Sequence, residues 1–223
     1  ETFRSSFGLG SSTMNFLILV DWQCYFLPGG ALAVAEGDQL VPVANRLMPL
    51  FDVVAATQDW HPAGHQSFAS EHPGKSPGDA IELDGLPQVL WPDHCVQGTS
   101  GARLHEGLAA SEITEIIQKG TNRRVDSYSG FFDNAQRQAT GLEDWLKGQG
   151  VTEVAVMGLA TDYCVKFTAL DAVRLGFATT LIADGCRGVE LQPGDIASAI
   201  DEMKTAGVQI VTSDQVEAER SKG

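Results

Sequence analysis

Val154-Ala155-Val156-Met157-Gly158-Leu159-Ala160-Thr161-Asp162-Tyr163-Cys164-Val165 is the stretch on which the reading of the fold turns. Its apolar run, Val154–Met157, predicts a buried strand. Gly158 breaks that run, and Thr161 and Asp162 are residue types that cap helices. Beyond them, apolar Val165, Phe167, Leu170, Val173 and Leu175 form an amphipathic pattern. The pattern predicts a strand, a short loop and a helix, with Cys164 on the first helical turn at the carboxyl end of the strand. A thiol at that address faces the positive end of the helix dipole and free backbone N–H groups, which favour thiolate and can hold a developing oxyanion. A cysteine in such a chain is also commonly inert core, so the rest of the sequence has to decide whether Cys164 is a nucleophile.

Other segments repeat the alternation. Strands are predicted at Asn15–Val20, Val53–Thr57, Thr114–Lys119, Ala178–Ala183 and Val208–Thr212. Helical spacing covers 39–51, 140–149 and 195–206, the last ended by Gly207. Strands alternating with helices predict an α/β fold in three layers, a six-stranded, mostly parallel sheet flanked by helices and joined by right-handed crossovers. Residues 58–110 form a long stretch rich in Pro, Gly, His and Ser. Phe68, Ile81, Leu83, Leu86, Val89, Leu90 and Trp91 within it argue for an ordered functional loop. Residues 1–13 are read as a polar leader or tag and 14–223 as one domain.

Composition excludes several classes. The 223 residues suffice for one α/β core. A net charge of −14, from 29 acidic and 15 basic residues, disfavours nucleic acid and anionic membranes as partners. No apolar run approaches the ~20 residues that span a bilayer. Four cysteines in a chain of this length do not suggest a disulfide scaffold, and a reducing cytoplasm is the simplest setting.

Ligands of open α/β sheets bind outside the carboxyl ends of the strands. Here Asp21 follows the first strand, Gln58-Asp59-Trp60-His61 ends the second, Lys119 ends the third, and Cys164 follows the fourth. Each residue alone has a structural explanation; together they place a carboxylate, an acid–imidazole cluster, an amine and a thiol on one rim. Thiol attack needs a proton acceptor. Asp21 is the candidate, its pKa raised by burial, with Lys119 supplying the opposing charge. No G-x-C-x-G elbow is present, and no local Cys–His signature. Asp59 and His61 are two apart, so both side chains point the same way in extended chain. His65 is four further on, and His94 sits in Trp91-Pro92-Asp93-His94-Cys95. One carboxylate with two or three imidazoles suits Zn²⁺, Fe²⁺ or Mn²⁺ with positions left open. His72 and His105 lack such context and are read as ordinary surface residues.

These residues are similar to a known pattern. Asp21-x-Gln23-x-x-Phe26, Asp59-Trp60-His61-Pro62, Trp91-Pro92-Asp93-His94-Cys95, Lys119 and Gly158–Val165, in this order, resemble the bacterial nicotinamidases and close pyrazinamide hydrolases among the isochorismatase-like cysteine hydrolases. The resemblance runs from Asn15 to about Ser213. It implies hydrolysis of nicotinamide to nicotinate and ammonia, with pyrazinamide as a second substrate, through a thioester on Cys164 and in the service of NAD salvage. It implies Asp21 as proton acceptor and donor, Lys119 as electrostatic partner, and an oxyanion hole at the N–H groups of Ala160 and Cys164. A cis Leu159–Ala160 peptide is implied as well. Asp59, His61 and His94 are the implied metal ligands, and Phe26, Trp91 and Tyr128 the implied ring-packing residues; dimers are common in the family. The family form D-x-Q-N-D-F is here Asp21-Trp22-Gln23-Cys24-Tyr25-Phe26, so Cys24 and Tyr25 are departures expected to bear on pocket packing, and His65 is a further candidate ligand.

Two other readings remain on sequence grounds. A related hydrolase acting on another small amide or a vinyl ether would not need Asp59, His61 and His94. A metal-binding or thiol-redox protein, with Cys95 as its redox or ligand thiol, would leave Asp21 and Lys119 unexplained.

Overall fold

The computed structural model describes residues 14–220. The polar leader read at residues 1–13 lies outside the described residues. Eight strands form: β1 Phe16–Val20, β2 Val53–Asp59, β3 Ala80–Leu83, β4 Leu86–Val89, β5 Glu115–Lys119, β6 Glu153–Leu159, β7 Ala178–Arg187 and β8 Gln209–Val211. Six make one sheet in the order β5-β2-β1-β6-β7-β8, and every pairing in it is parallel. The apolar runs explain the centre: Phe16-Leu17-Ile18-Leu19-Val20 is buried along its whole length, as a parallel strand covered on both faces must be.

Five α-helices flank the sheet: α1 Val41–Leu47, α2 Leu142–Gly148, α3 Lys166–Arg174, α4 Asp195–Ala206 and α5 Ser213–Arg220. The chain leaves β1 for β2 on one side and β6 for β7 on the other, so right-handed crossovers set α1 and α3 on opposite faces. Accordingly α1 contacts α5, and α3 contacts α4. The order reverses between β1 and β6, the switch point at which such sheets open a crevice.

Two local expectations are corrected. The 58–110 stretch is not irregular throughout. It contains the antiparallel hairpin β3–β4, turned by Asp84 (φ 51°) and Gly85 (φ 81°). Cys164 does not sit on the first turn of an α-helix either. Thr161–Val165 is a π-helical turn leading into α3, and neither Thr161 nor Asp162 caps it with a side chain.

Candidate active site

The site is assembled by strand ends. Asp59 and Lys119 are register partners across β2 and β5, and Val20 pairs with Gly158 across β1 and β6. Lys119, the last residue of β5, is 1% exposed. Its ammonium lies 2.9 Å from Asp21 Oδ2 and 2.5 Å from Asp59 Oδ1, donates to the Ser127 carbonyl at 2.8 Å, and reaches Cys164 Sγ at 3.4 Å. Asp21, Asp59 and Cys164 bring ligand-type atoms within 4.8 Å of one another. The thiol, carboxylate and amine predicted at separate strand ends therefore converge on one point.

The charges there follow from burial and neighbours. Burial pushes Asp21 up to about 6, against the pull of Lys119 and the Thr57 hydroxyl, which donates to Asp21 Oδ1 at 2.6 Å. Burial alone would strip Lys119 of its proton, but the two carboxylates and the thiol outweigh it and keep the ammonium. The Cys164 thiol is pushed well above its ordinary value by burial, with Lys119 opposing. The direction runs against the dipole-stabilised resting thiolate expected from the sequence, because burial disfavours the charged form.

Gly158 (φ 136°) is fixed by sterics, since a Cβ there would stand 2.2 Å from the Val20 carbonyl oxygen. The following Leu159–Ala160 peptide is cis. The Ala160 carbonyl accepts from Tyr163 and Val165 N–H, both at 3.1 Å, and passes over the Cys164 amide between them. The π-turn thus leaves the amide of the residue that carries the thiol unpaired with the Ala160 carbonyl, in keeping with the functional placement of such turns.

Asp59, His61 and His94 form a second cluster whose ligand atoms also lie within 4.8 Å of one another. His61 Nδ1–H donates to the Gly120 carbonyl (2.9 Å), and His94 Nδ1–H to the Pro92 carbonyl (2.8 Å). Both Nε2 lone pairs are thereby left 3.7 Å from Asp59 Oδ2. Burial pushes His61 down to about 4 against the pull of Asp59, so its ring is neutral, as a ligand must be. Burial disfavours the Asp59 carboxylate, but Lys119, His61 and His94 outweigh it and hold the group ionised. His61 Nε2 is buried without a protein partner. One carboxylate and two oriented imidazoles, one with an orphaned lone pair, fit a divalent metal ion. Gly120 (φ 65°) permits the arrangement, because a Cβ would come 2.5 Å from the His61 ring.

Beside Cys164, Asp59 and His94 opens a cavity lined by Phe26, Trp91 and Tyr128 as expected, and also by Leu32, Val34, Leu159, Tyr163 and Val189. Asp59, His94, Asp126, Ala160 and Cys164 supply its polar rim. Cys24 and Tyr25 line a different, open groove, where Tyr25 lies against Gly101. Those departures do not shape the cavity.

Four polar residues here have roles that the sequence reading did not assign. Thr57 holds Asp21. Gln23 clamps the Asp59 backbone through both amide atoms, at 2.7 and 2.8 Å. Asp126 reaches the rim. Asp162 accepts from Val189 and Glu190 N–H at 2.9 and 2.7 Å, tethering the segment that brings Val189 to the cavity. Asp162→Ala is expected to lower stability by about 2 kcal/mol through the lost charge-assisted bonds. It should raise KM more than it lowers kcat, read from a urea melt and steady-state kinetics.

Comparison places the chain. Residues 15–215 match the isochorismatase domain model, and the chain belongs to that family. It is 56% identical over 200 residues to the nicotinamidase of Escherichia coli K12, covering 88% of this chain and 93% of that one. Among solved structures, a nicotinamidase/pyrazinamidase of Acinetobacter baumannii superposes with a TM-score of 0.89 at 45% identity, covering 92% of this chain and 99% of the other. The pyrazinamidase of Pyrococcus horikoshii in complex with zinc superposes at 0.70 with 38% identity, covering 89% and 99%. Among the described residues no helix is long and apolar enough to cross a membrane.

Proposed function

We propose that this chain is a metal-dependent amidohydrolase that converts nicotinamide to nicotinate and ammonia, and pyrazinamide to pyrazinoate, for NAD salvage. The observation that carries the reading is a cavity whose rim brings Cys164 of the Asp21–Lys119–Cys164 cluster together with Asp59 and His94 of the Asp59–His61–His94 cluster.

Attack begins with a neutral thiol. As Cys164 Sγ bonds to the carboxamide carbon, its proton passes to Asp21, whose raised pKa suits the transfer. Lys119 balances the charge between the two. The oxyanion is held by the Ala160 and Cys164 N–H groups. Asp21 then gives its proton to the leaving nitrogen, ammonia departs, and a thioester remains. Water, deprotonated by Asp21, attacks that carbon; the thiolate leaves and recovers the proton. Phe26, Trp91 and Tyr128 hold the ring so that the carboxamide meets the sulfur. Asp59 Oδ2 and the Nε2 atoms of His61 and His94 would hold a divalent ion, for which Zn²⁺, Fe²⁺ and Mn²⁺ all suit the donor set. When bound, it supplies a Lewis acid for the ring nitrogen, orienting the heterocycle and drawing electron density from it.

The reading treats 14–223 as one domain and extends to a homodimer in the cytoplasm, a setting that suits four free cysteines. The test is ammonia release from nicotinamide and pyrazinamide before and after treatment with a chelator. We expect release with both, loss on chelation and recovery on adding Zn²⁺, Fe²⁺ or Mn²⁺. Chelator-insensitive release would favour a metal-free relative of the same superfamily, and no release from either amide would sink the reading.

A further inference from the structure

His65 is fully buried, with its ring centroid 4.2 Å from that of His61. Its own hydrogen bonds fix its tautomer. The Ser67 backbone N–H, which can only donate, points at His65 Nδ1 from 3.2 Å, and Ser67 Oγ lies 2.8 Å from the same nitrogen. Nδ1 is therefore an acceptor, and in the neutral ring the proton sits on Nε2. That Nε2–H is buried without a partner among the described residues. It is a buried donor on a ring packed against the His61 ring, and in this tautomer Nε2 has no lone pair free to bind an ion.

The complementary acceptor is Asp126, 4% exposed. Its Oδ1 accepts from Ser127 N–H at 2.8 Å and its Oδ2 from Gln88 Nε2 at 3.0 Å, which leaves a lone pair on each oxygen. Ligand-type atoms of His61, His65 and Asp126 lie within 4.8 Å of one another. One water oxygen hydrogen-bonded to two groups at ordinary lengths and a tetrahedral angle separates them by about 4.6 Å. A separation of no more than 4.8 Å is within the span of a single bridging water.

We propose that His65 Nε2–H and the Asp126 carboxylate bracket a water in the coordination shell of the ion held by Asp59, His61 and His94. His65 is then a positioning residue and not a fourth protein ligand. The proposal rests on the metal reading above. It requires no proton to leave either group: His65 donates to the water oxygen, and the water donates to Asp126. Outer partners of this kind typically change metal affinity by 10- to 100-fold.

The test uses the zinc-loaded full chain. X-ray absorption should count two imidazoles on the zinc. His65→Phe should keep one zinc per chain and the same two-imidazole signal, while weakening zinc affinity about 10- to 100-fold in a chelator competition. His65→Gln, which returns an N–H donor to that side, should recover most of the loss. Asp126→Ala should weaken affinity independently, with circular dichroism confirming the fold of each variant. Three imidazoles on the wild-type zinc, or loss of an imidazole in His65→Phe, would overturn the bracket and make His65 a ligand. Unchanged affinity in both His65→Phe and Asp126→Ala would overturn it as well. A wild-type chain that takes up no zinc, iron or manganese would instead remove the parent reading, and this one with it.

Discussion

Replacing Cys164 by alanine is expected to lower nicotinamide turnover at least ~10⁴-fold, about 5.5 kcal/mol of barrier, with one metal ion per chain and ligand binding retained. The thiol is the atom on which three features converge: the Lys119 ammonium 3.4 Å away, the Asp21 carboxylate in the same cluster, and the π-turn that passes over the Cys164 amide. If water activated by Asp21 attacked the amide directly, the sulfur would be a bystander and the variant would keep most of its rate. Cys164→Ser distinguishes these routes further. It keeps an O–H at the same place, but an alcohol is far less acidic than a thiol, and Asp21 near 6 is too weak a base to activate it. We expect Cys164→Ser to resemble Cys164→Ala. Zinc content by mass spectrometry and nicotinate binding by calorimetry are the controls, because the metal ligands lie elsewhere in the chain, at the end of β2 and in the loops after β2 and β4. Turnover near wild type in Cys164→Ala would remove the thioester from the mechanism.

Much of this arrangement is legible in the sequence, for an identifiable reason. Parallel strands buried on both faces must be apolar, so Phe16–Val20 and Val154–Met157 announce themselves, and the polar residues just beyond them fall on one rim. Asp21, Asp59, Lys119 and Cys164 follow from that logic alone. The β3–β4 hairpin is less visible because its strands are half-exposed and short, although Asp84-Gly85 is a hairpin turn signal in plain sight. The π-turn is invisible, since Thr161 and Asp162 read as caps and only the fold shows the Asp162 carboxylate turned to Val189 and Glu190 instead. Thr57, Gln23 and Asp126 are hidden for a common reason. A polar side chain is committed by a partner 36 or 38 residues away, and local spacing carries no record of that. The thiol's protonation is likewise a property of total burial rather than of the helix end beside it.

Lys119→Met is expected to be the most damaging single change to the fold that touches the site. The ammonium compensates two carboxylates, Asp21 and Asp59, in a place almost wholly removed from bulk water. Removing one partner of a buried ion cluster leaves uncompensated charge and typically costs about 3–5 kcal/mol. For a chain of this size that corresponds to a fall in Tm of roughly 6–20 °C. Turnover should vanish as well, because Asp21 loses the charge that opposes its burial and becomes protonated near neutrality, with no room for the thiol proton. The pH dependence follows in sign. Between about 4, the ordinary carboxyl value, and its raised folded value, Asp21 holds a proton when folded and releases it when unfolded. The variant should therefore lose stability as pH rises through that window, more steeply than wild type. The double variant Lys119→Met with Asp21→Asn separates fold from chemistry. It removes, together with the ammonium, the carboxyl that would have to take up a proton on folding, so at least half of the lost stability should return in thermal melts, while ammonia release stays absent. A single Lys119→Met protein that melts like wild type would show that water reaches these carboxylates. Recovery of turnover in the double variant would show that Asp21 carries no proton in the reaction.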